Sequence, residues 1–152
     1  MADKDKLIKA MQIIMIELSL QADGHAIESR LFGAAGLTKL QEKYAEHAEE
    51  ERGHVIKCID RILDLGGEVK LEAKKESFIT KDPVAWLKYD LQVSKDGLEF
   101  LKPIVEEARD DYSTFDMLKE YYQDEEEDMY WGEQQLELIE CIGVQNWILR
   151  QM

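Results

Sequence analysis

The sequence predicts an all-α protein: a four-helix bundle with a long crossover between helices 2 and 3 and a short fifth helix at the C-terminus. Three observations predict it. Apolar residues recur at helical spacing over four long stretches. Glycines, prolines and capping residues punctuate those stretches in three places. No segment alternates apolar and polar residues as a half-buried strand would.

The first helix is expected from about Lys6 to Phe32, with Ile13, Leu20 and Ile27 on one stripe and Ala10, Glu17, Gly24 and Leu31 on its neighbour. Gly33 and Gly36 mark a short turn. The second helix runs from about Leu37 to Leu65 and stops at Gly66-Gly67, a strong C-terminal signal. Glu68 to Asp82 holds no sustained period and forms the long connection. Asp82-Pro83 suits an N-cap followed by a proline in the first turn. Helix 3 then extends to about Tyr112, carrying Leu87, Ser94, Leu101 and Ala108 on one stripe and Leu91, Leu98 and Val105 beside it. Pro103 should bend it without ending it. Ser113 or Thr114 can cap helix 4, which passes through Leu118, Glu125, Gly132 and Ile139 to about Cys141. Gly143 closes it, and Val144 to Met152 supplies the fifth helix. Short links make hairpins of helices 1–2 and 3–4, and the long link carries the second hairpin back across the bundle.

The chain fits one domain over residues 1–152, with 45% hydrophobic and 34% charged residues and only two prolines. No apolar run is long enough to cross a bilayer, and the polar start is no secretory signal, so no membrane is expected as a partner. Cys58 and Cys141 form no CxxC pair, which suits reduced thiols and a cytoplasmic location. A formal net charge of −14 argues against nucleic-acid binding and favours cations.

The chemistry is concentrated where acids interrupt core stripes. Counting sevens along helix 2 gives Leu37, Tyr44, Glu51, Cys58 and Leu65, so Glu51 stands in an apolar series, one turn before His54. Glu17 and Glu125 interrupt the stripes of helices 1 and 4 in the same way, and Ser94 holds the matching level on helix 3. Asp128 follows Glu125 by three residues, as His54 follows Glu51. An unpaired carboxylate in a dry core costs several kcal/mol, so it must be neutralised, paired or bound to metal. Oxygen ligands with imidazole suit iron or manganese better than four-coordinate zinc. Glu17 and Glu51 stand 34 residues apart and Ser94 and Glu125 31, so the chain reads as one hairpin used twice. Plainer readings stand beside these. Glu17 faces solvent if helix 1 is rotated, and His54 fits a hydrogen-bonded core histidine. Glu126 and Glu127 fit a solvated acidic face. Tyr121, Tyr122, Tyr130 and Trp131 fit packing, and Cys58 fits a small buried hydrophobe.

At these residues the sequence resembles bacterioferritin over nearly the whole chain. The resemblance rests on Glu17-Leu18-Ser19, Gly36-Leu37-Thr38-Lys39-Leu40, Glu51-Arg52-Gly53-His54 with Ile59-Asp60-Arg61-Ile62-Leu63, Asp90-Leu91 with Asp96-Gly97, Asp124-Glu125-Glu126 leading to Trp131, and Gly143-Val144-Gln145-Asn146-Trp147. It implies a ferritin-like fold and a hollow 24-subunit shell that oxidises ferrous iron and stores it as mineral. Carried over by residue, Glu17 and His54 are terminal ligands of one iron, while Glu51 and Glu125 bridge two. The second iron departs from the pattern, because Ser94 stands for a glutamate and Asp128 for a histidine. Glu17, Glu51, Glu125 and Asp128 keep four negative charges for two ferrous ions, so a weakened second position is expected. Glu17 itself requires a one-residue insertion in helix 1. His25 falls where the family has a tyrosine near the iron, either offering a nitrogen to the second metal or sitting in a local irregularity near Asp23-Gly24. Arg52 replaces the methionine that ligates haem, and a guanidinium cannot replace a thioether, so no haem is expected. Glu46, His47 and Glu50 present either an iron-collecting surface toward a cage interior or a solvated face.

Four functions compete. The first is an iron-storage and detoxification subunit with ferroxidase activity, Glu51 and Glu125 acting as catalytic bridging ligands of a di-iron or mono-iron site. The second is a degenerate cage subunit without that activity, structural or in a shell mixed with an active paralogue. A rubrerythrin-like peroxidase lacks its paired CxxC motifs here. A helical adaptor would need lysine or arginine facing the core acids, and the inner stripes carry none.

Overall fold

In the computed structural model, which describes residues 2–152, five helices follow one another: α1 (Lys4–Ala34), α2 (Thr38–Asp64), α3 (Pro83–Glu107), α4 (Tyr112–Ile142) and α5 (Val144–Leu149). Local chemistry sets their ends. Asp3 caps α1 by accepting from the Lys6 amide, and Asp82 caps α3 by accepting from Val84 and Ala85 with Pro83 behind it. Gly36 and Gly66, with φ of 81° and 80°, take the left-handed conformation that ends α1 and α2. Helix α3 continues past Pro103 and stops at Glu107, earlier than the expected Tyr112. The cap of α4 is Asp111 and not Ser113 or Thr114. Its carboxylate accepts from the Thr114 amide at 3.2 Å and hydroxyl at 2.7 Å, and Arg61 of α2 holds it at 2.8 Å. That gripped aspartate fixes the turn and makes Tyr112 the first residue of the next helix.

Helices α1 and α2 pack as one hairpin and α3 and α4 as another. The long segment between them lies across α1. Gln12 exchanges two bonds with the Lys70 backbone (2.9 and 3.2 Å), Lys74 pairs with Asp23 at 2.8 Å, and the Thr80 amide donates to Glu28 at 2.9 Å. It returns the chain to the end where α2 began, so α2 and α3 run one way and α1 and α4 the other.

Two apolar clusters fill the two ends. One gathers Leu7, Met11, Ile14, Leu18, Cys58, Ile62, Leu101 and Leu118. The other gathers Phe32, Leu40, Tyr44, Trp86, Leu87 and Trp147. Between them lies a buried polar layer of His25, Glu28, Ser29, His47, Glu51, His54, Ser94 and Glu125. The expected inner stripes hold for α2, α3 and α4 but not for α1. There Ile13, Glu17 and Ile27 face outward, and Met11, Leu18, His25 and Phe32 face the core. Apolar residues surround the first half of α1 on every side, so several rotations look equally amphipathic in sequence.

Candidate metal centre

Each helix sends polar side chains into the middle layer. From α2 come Glu51, at 3% exposure, and His54, at 6%; α4 contributes Glu125, at 3%, with Asp128 beside it. Ser94 of α3 is buried at the same level. Glu17 does not join them: it is exposed on α1, and the fully buried Leu18 takes the inward position. The one-residue offset noted in helix 1 is therefore not absorbed by a bulge, since α1 is an uninterrupted α-helix. His54 turns its Nε2 to Asp124 at 2.7 Å, on the α2–α4 side of the layer.

His25, His47 and Asp90 add a second tier. His25 bridges two acids, Nδ1 to Glu51 at 2.5 Å and Nε2 to Asp90 at 2.7 Å. His47 is buried and not on an acidic surface beside Glu46 and Glu50, which stay at the periphery. Its Nε2 lies 3.4 Å from Asp128, and its ring meets that of His25 edge-on at 5.5 Å. Tyr44 and Trp86 against His25, and Trp131 against His47, wall this tier with aromatic edges. One donor atom each from His25, His47 and Asp90 lies within 4.8 Å of the others. Asp90 and Glu28 were not legible as site residues, and His47 was expected on a surface; the signal that could have placed it inside is the series Leu40, His47 and His54, seven residues apart on α2.

The electrostatics follow from burial and crowding. Burial pushes Glu51 up to about 7, against the pull of His25. Asp128 rises to about 8, first from burial and then from the charges of Glu125 and Glu51. Burial also raises Glu125, partly offset by bonds from Gln21 and Ser94. Burial opposes the charge on His25, but Asp90 and Glu51 outweigh it and hold its proton well above the ordinary imidazole range. Burial and the neighbouring His25 push His47 down to about 3, so its imidazole is neutral and keeps a lone pair. Among the described residues no lysine or arginine pairs with Glu51, Glu125 or Asp128. The layer is thus short of positive charge, a shortage that a divalent cation removes. Unpartnered buried atoms fit the same need: Glu51 Oε2, Glu28 Oε2, His54 Nδ1 and both nitrogens of His47. The donor set of carboxylates and imidazoles fits iron.

A groove of about 420 Å³ between α1 and α3 leads from the surface to this layer, with Glu17 and Gln21 along it and His25, Asp90 and Glu125 at its inner wall. Glu17 therefore borders the approach without entering the layer.

A family model for the ferritin-like domain matches residues 17–142. The chain belongs to the ferritin-like family. Its relatives include a bacterial ferritin of Neisseria meningitidis serogroup B, 42% identical over 134 residues covering 86% of each chain. A bacterial ferritin of Synechocystis is 35% identical, covering 86% of this chain and 85% of its own. A bacterioferritin of Rhodobacter capsulatus is 32% identical over 75% of this chain and 72% of its own. Family membership accounts for the crossover and the four-helix arrangement.

Proposed function

We propose that this chain is an iron-storage and detoxification subunit, cytoplasmic, that takes ferrous iron into its intra-bundle layer and assembles into a closed shell. The observation that carries the reading is that Glu51 and His54 of α2 and Glu125 of α4 are buried in one polar layer, with Asp128 half-buried beside them, and that no lysine or arginine among the described residues pairs with the three acids. Glu51 and Glu125 are the bridging acids in this reading, and His54 and Asp128 flank them. Each ferrous ion gives up one electron; peroxide accepts two with two protons to form two waters, and dioxygen accepts four of each. The groove of about 420 Å³ between α1 and α3 has room for either small oxidant. Haem has no part in the proposal: Arg52 pairs with Asp23 and brings a guanidinium where the family has a thioether.

Leu18 and Ser94 favour a second reading, a shell subunit of weak or no ferroxidase activity, alone or mixed with an active paralogue. Both terminal carboxylates expected from α1 and α3 are replaced by groups that bind iron poorly or not at all. Ferrous oxidation followed optically separates the two. Faster oxidation by wild type than by Glu51→Ala supports the ferroxidase. Equal, slow rates with iron still retained support the storage subunit without it, and failure of the wild type to retain any iron overturns both.

A further inference from the structure

We infer that His25, His47 and Asp90 form a mononuclear site for a borderline divalent cation such as ferrous iron, displaced from the expected position toward the aromatic end of the polar layer. The inference deepens the iron-binding reading and rests on it.

The geometry of displacement comes first. His25 lies seven residues beyond Leu18 on α1, and His47 four before Glu51 on α2. Asp90 lies four before Ser94 on α3, and Asp128 three beyond Glu125 on α4. Because α1 and α4 run opposite to α2 and α3, all four steps move toward the same end of the bundle. The level of Glu51 and Glu125 thus holds the apolar Leu18 and the neutral Ser94 from α1 and α3, and the charged groups of those two helices stand nearer the aromatic end.

His47 supplies the independent sign of a ligand. It is 2% exposed, and neither ring nitrogen has a hydrogen-bond partner. A buried imidazole left that way costs on the order of 1–3 kcal/mol. A purely structural bridge of His25 between Glu51 and Asp90 explains His25 but leaves His47 without a role. A cation satisfies it.

Distances agree with one ion. Two donors trans on one cation stand about 4.2 Å apart, twice a bond of about 2.1 Å, and neighbouring donors stand closer. The three donor atoms lie within 4.8 Å of one another, and those of His25 and Asp90 are already as close as neighbouring ligands, so closure needs His47 to move toward them. The ion takes the place of the proton between His25 Nε2 and Asp90, now 2.7 Å apart. His25 Nδ1 then keeps its bond to Glu51, which orients the ring as a carboxylate behind a metal-bound histidine does. Two imidazoles and one carboxylate with open positions suit ferrous iron. Asp128, 3.4 Å from His47 Nε2, stands ready as a further oxygen donor. The α1–α3 groove reaches His25 and Asp90, which gives the ion a way in.

Cobaltous ion serves as a spectroscopic probe for ferrous iron in anaerobic titrations of the assembled protein, with His47→Gln as the test and Glu127→Gln, on the exposed face of α4, as the control. The expected result is that wild type and Glu127→Gln bind cobalt with the same visible d–d absorption, whereas His47→Gln loses intensity in that band with at least a tenfold weaker affinity for the lost ion. Anomalous diffraction on cobalt-soaked wild-type crystals, which needs no variant to fold, should place a peak within bonding distance of His25, His47 and Asp90. A peak confined to Glu51, His54 and Glu125, with unchanged binding by His47→Gln, overturns the relocated site and leaves the iron-storage reading intact. Absence of cobalt anywhere in the layer overturns both.

Discussion

Position 18 shows how much one residue decides. Leu18 faces the core and Glu17 the solvent, although the sequence offers Glu17 as the acid of helix 1. The error arises because Ile13, Ile14, Met15 and Ile16 make every rotation of this stretch look apolar on one side. The acids of α2 and α4 were legible because each interrupts a single clear stripe. Replacing Leu18 by glutamate restores a carboxylate at the inward position and makes a test of it. Metal-free Leu18→Glu should melt well below wild type, since an unpaired buried carboxylate costs several kcal/mol. Adding manganous or ferrous ion should narrow the gap, because a ligand at one hundred times its Kd contributes about 2.7 kcal/mol. Calorimetry with and without metal checks this; a gap that metal leaves unchanged means position 18 does not face a cation. Asp111 offers a second residue-scale test. Burial raises its carboxyl, but the bonds from Thr114 and Arg61 outweigh that and hold it below the usual range. A folded pKa below the unfolded one contributes stability that is present above about pH 4 and disappears as pH falls through the folded value. Asp111→Ala should cost about 1–2 kcal/mol at neutral pH, the loss typical of an N-cap, and that difference should shrink in acid. Denaturant titrations of both proteins at neutral and acid pH measure it.

Among the elements, α2 was the most readable and α1 the least. Helix α2 carries two repeats of seven, Tyr44-Glu51-Cys58 and Leu40-His47-His54, all of them buried, and Leu37 at its N-cap begins the first. Reading only the first repeat left His47 on the surface; the second would have brought it inside. The early end of α3 was hidden for another reason. Asp111 is fixed by Arg61 of a different helix, a tertiary contact that no local pattern reveals. The fifth helix is short, yet it closes one end of the bundle. Trp147 is fully buried there, its Nε1 donates to Gln135 at 2.9 Å, and the Lys39 amide donates to the Gln151 carbonyl at 2.8 Å. Six residues could not hold a helix in water alone, so α5 depends on this docking. Trp147→Ala should cost about 3–5 kcal/mol in equilibrium unfolding, the range for a buried aromatic. It should also expose the segment after Gly143 to limited proteolysis while leaving the buried polar layer, which lies earlier on α4, able to take up cobalt. Loss of cobalt binding in a variant that still folds would mean the aromatic end and the layer are coupled.

For the whole molecule, the arrangement of two hairpins and a crossover was legible, because punctuation by glycine and proline sets loop lengths and loop lengths set topology. The proposed shell rests on the family resemblance alone, since assembly is written in surfaces that one chain does not pair with itself. Charge acts at this scale. Each chain carries a formal net charge of −14. In a closed shell those charges add, so the potential that gathers cations far exceeds that of one subunit. Its reach is set by salt: the Debye length is about 10 Å at 0.1 M and about 3 Å at 1 M. Capture of ferrous ions from solution should therefore slow as inert salt is raised, by several-fold across that range. Ions already bound in the layer are surrounded by protein and screened far less, so their affinity should change little. Stopped-flow loading at several ionic strengths, paired with equilibrium cobalt binding under the same conditions, distinguishes the two steps. Loading rates indifferent to salt would mean that entry is governed by the groove between α1 and α3 and not by the field of the assembled charge.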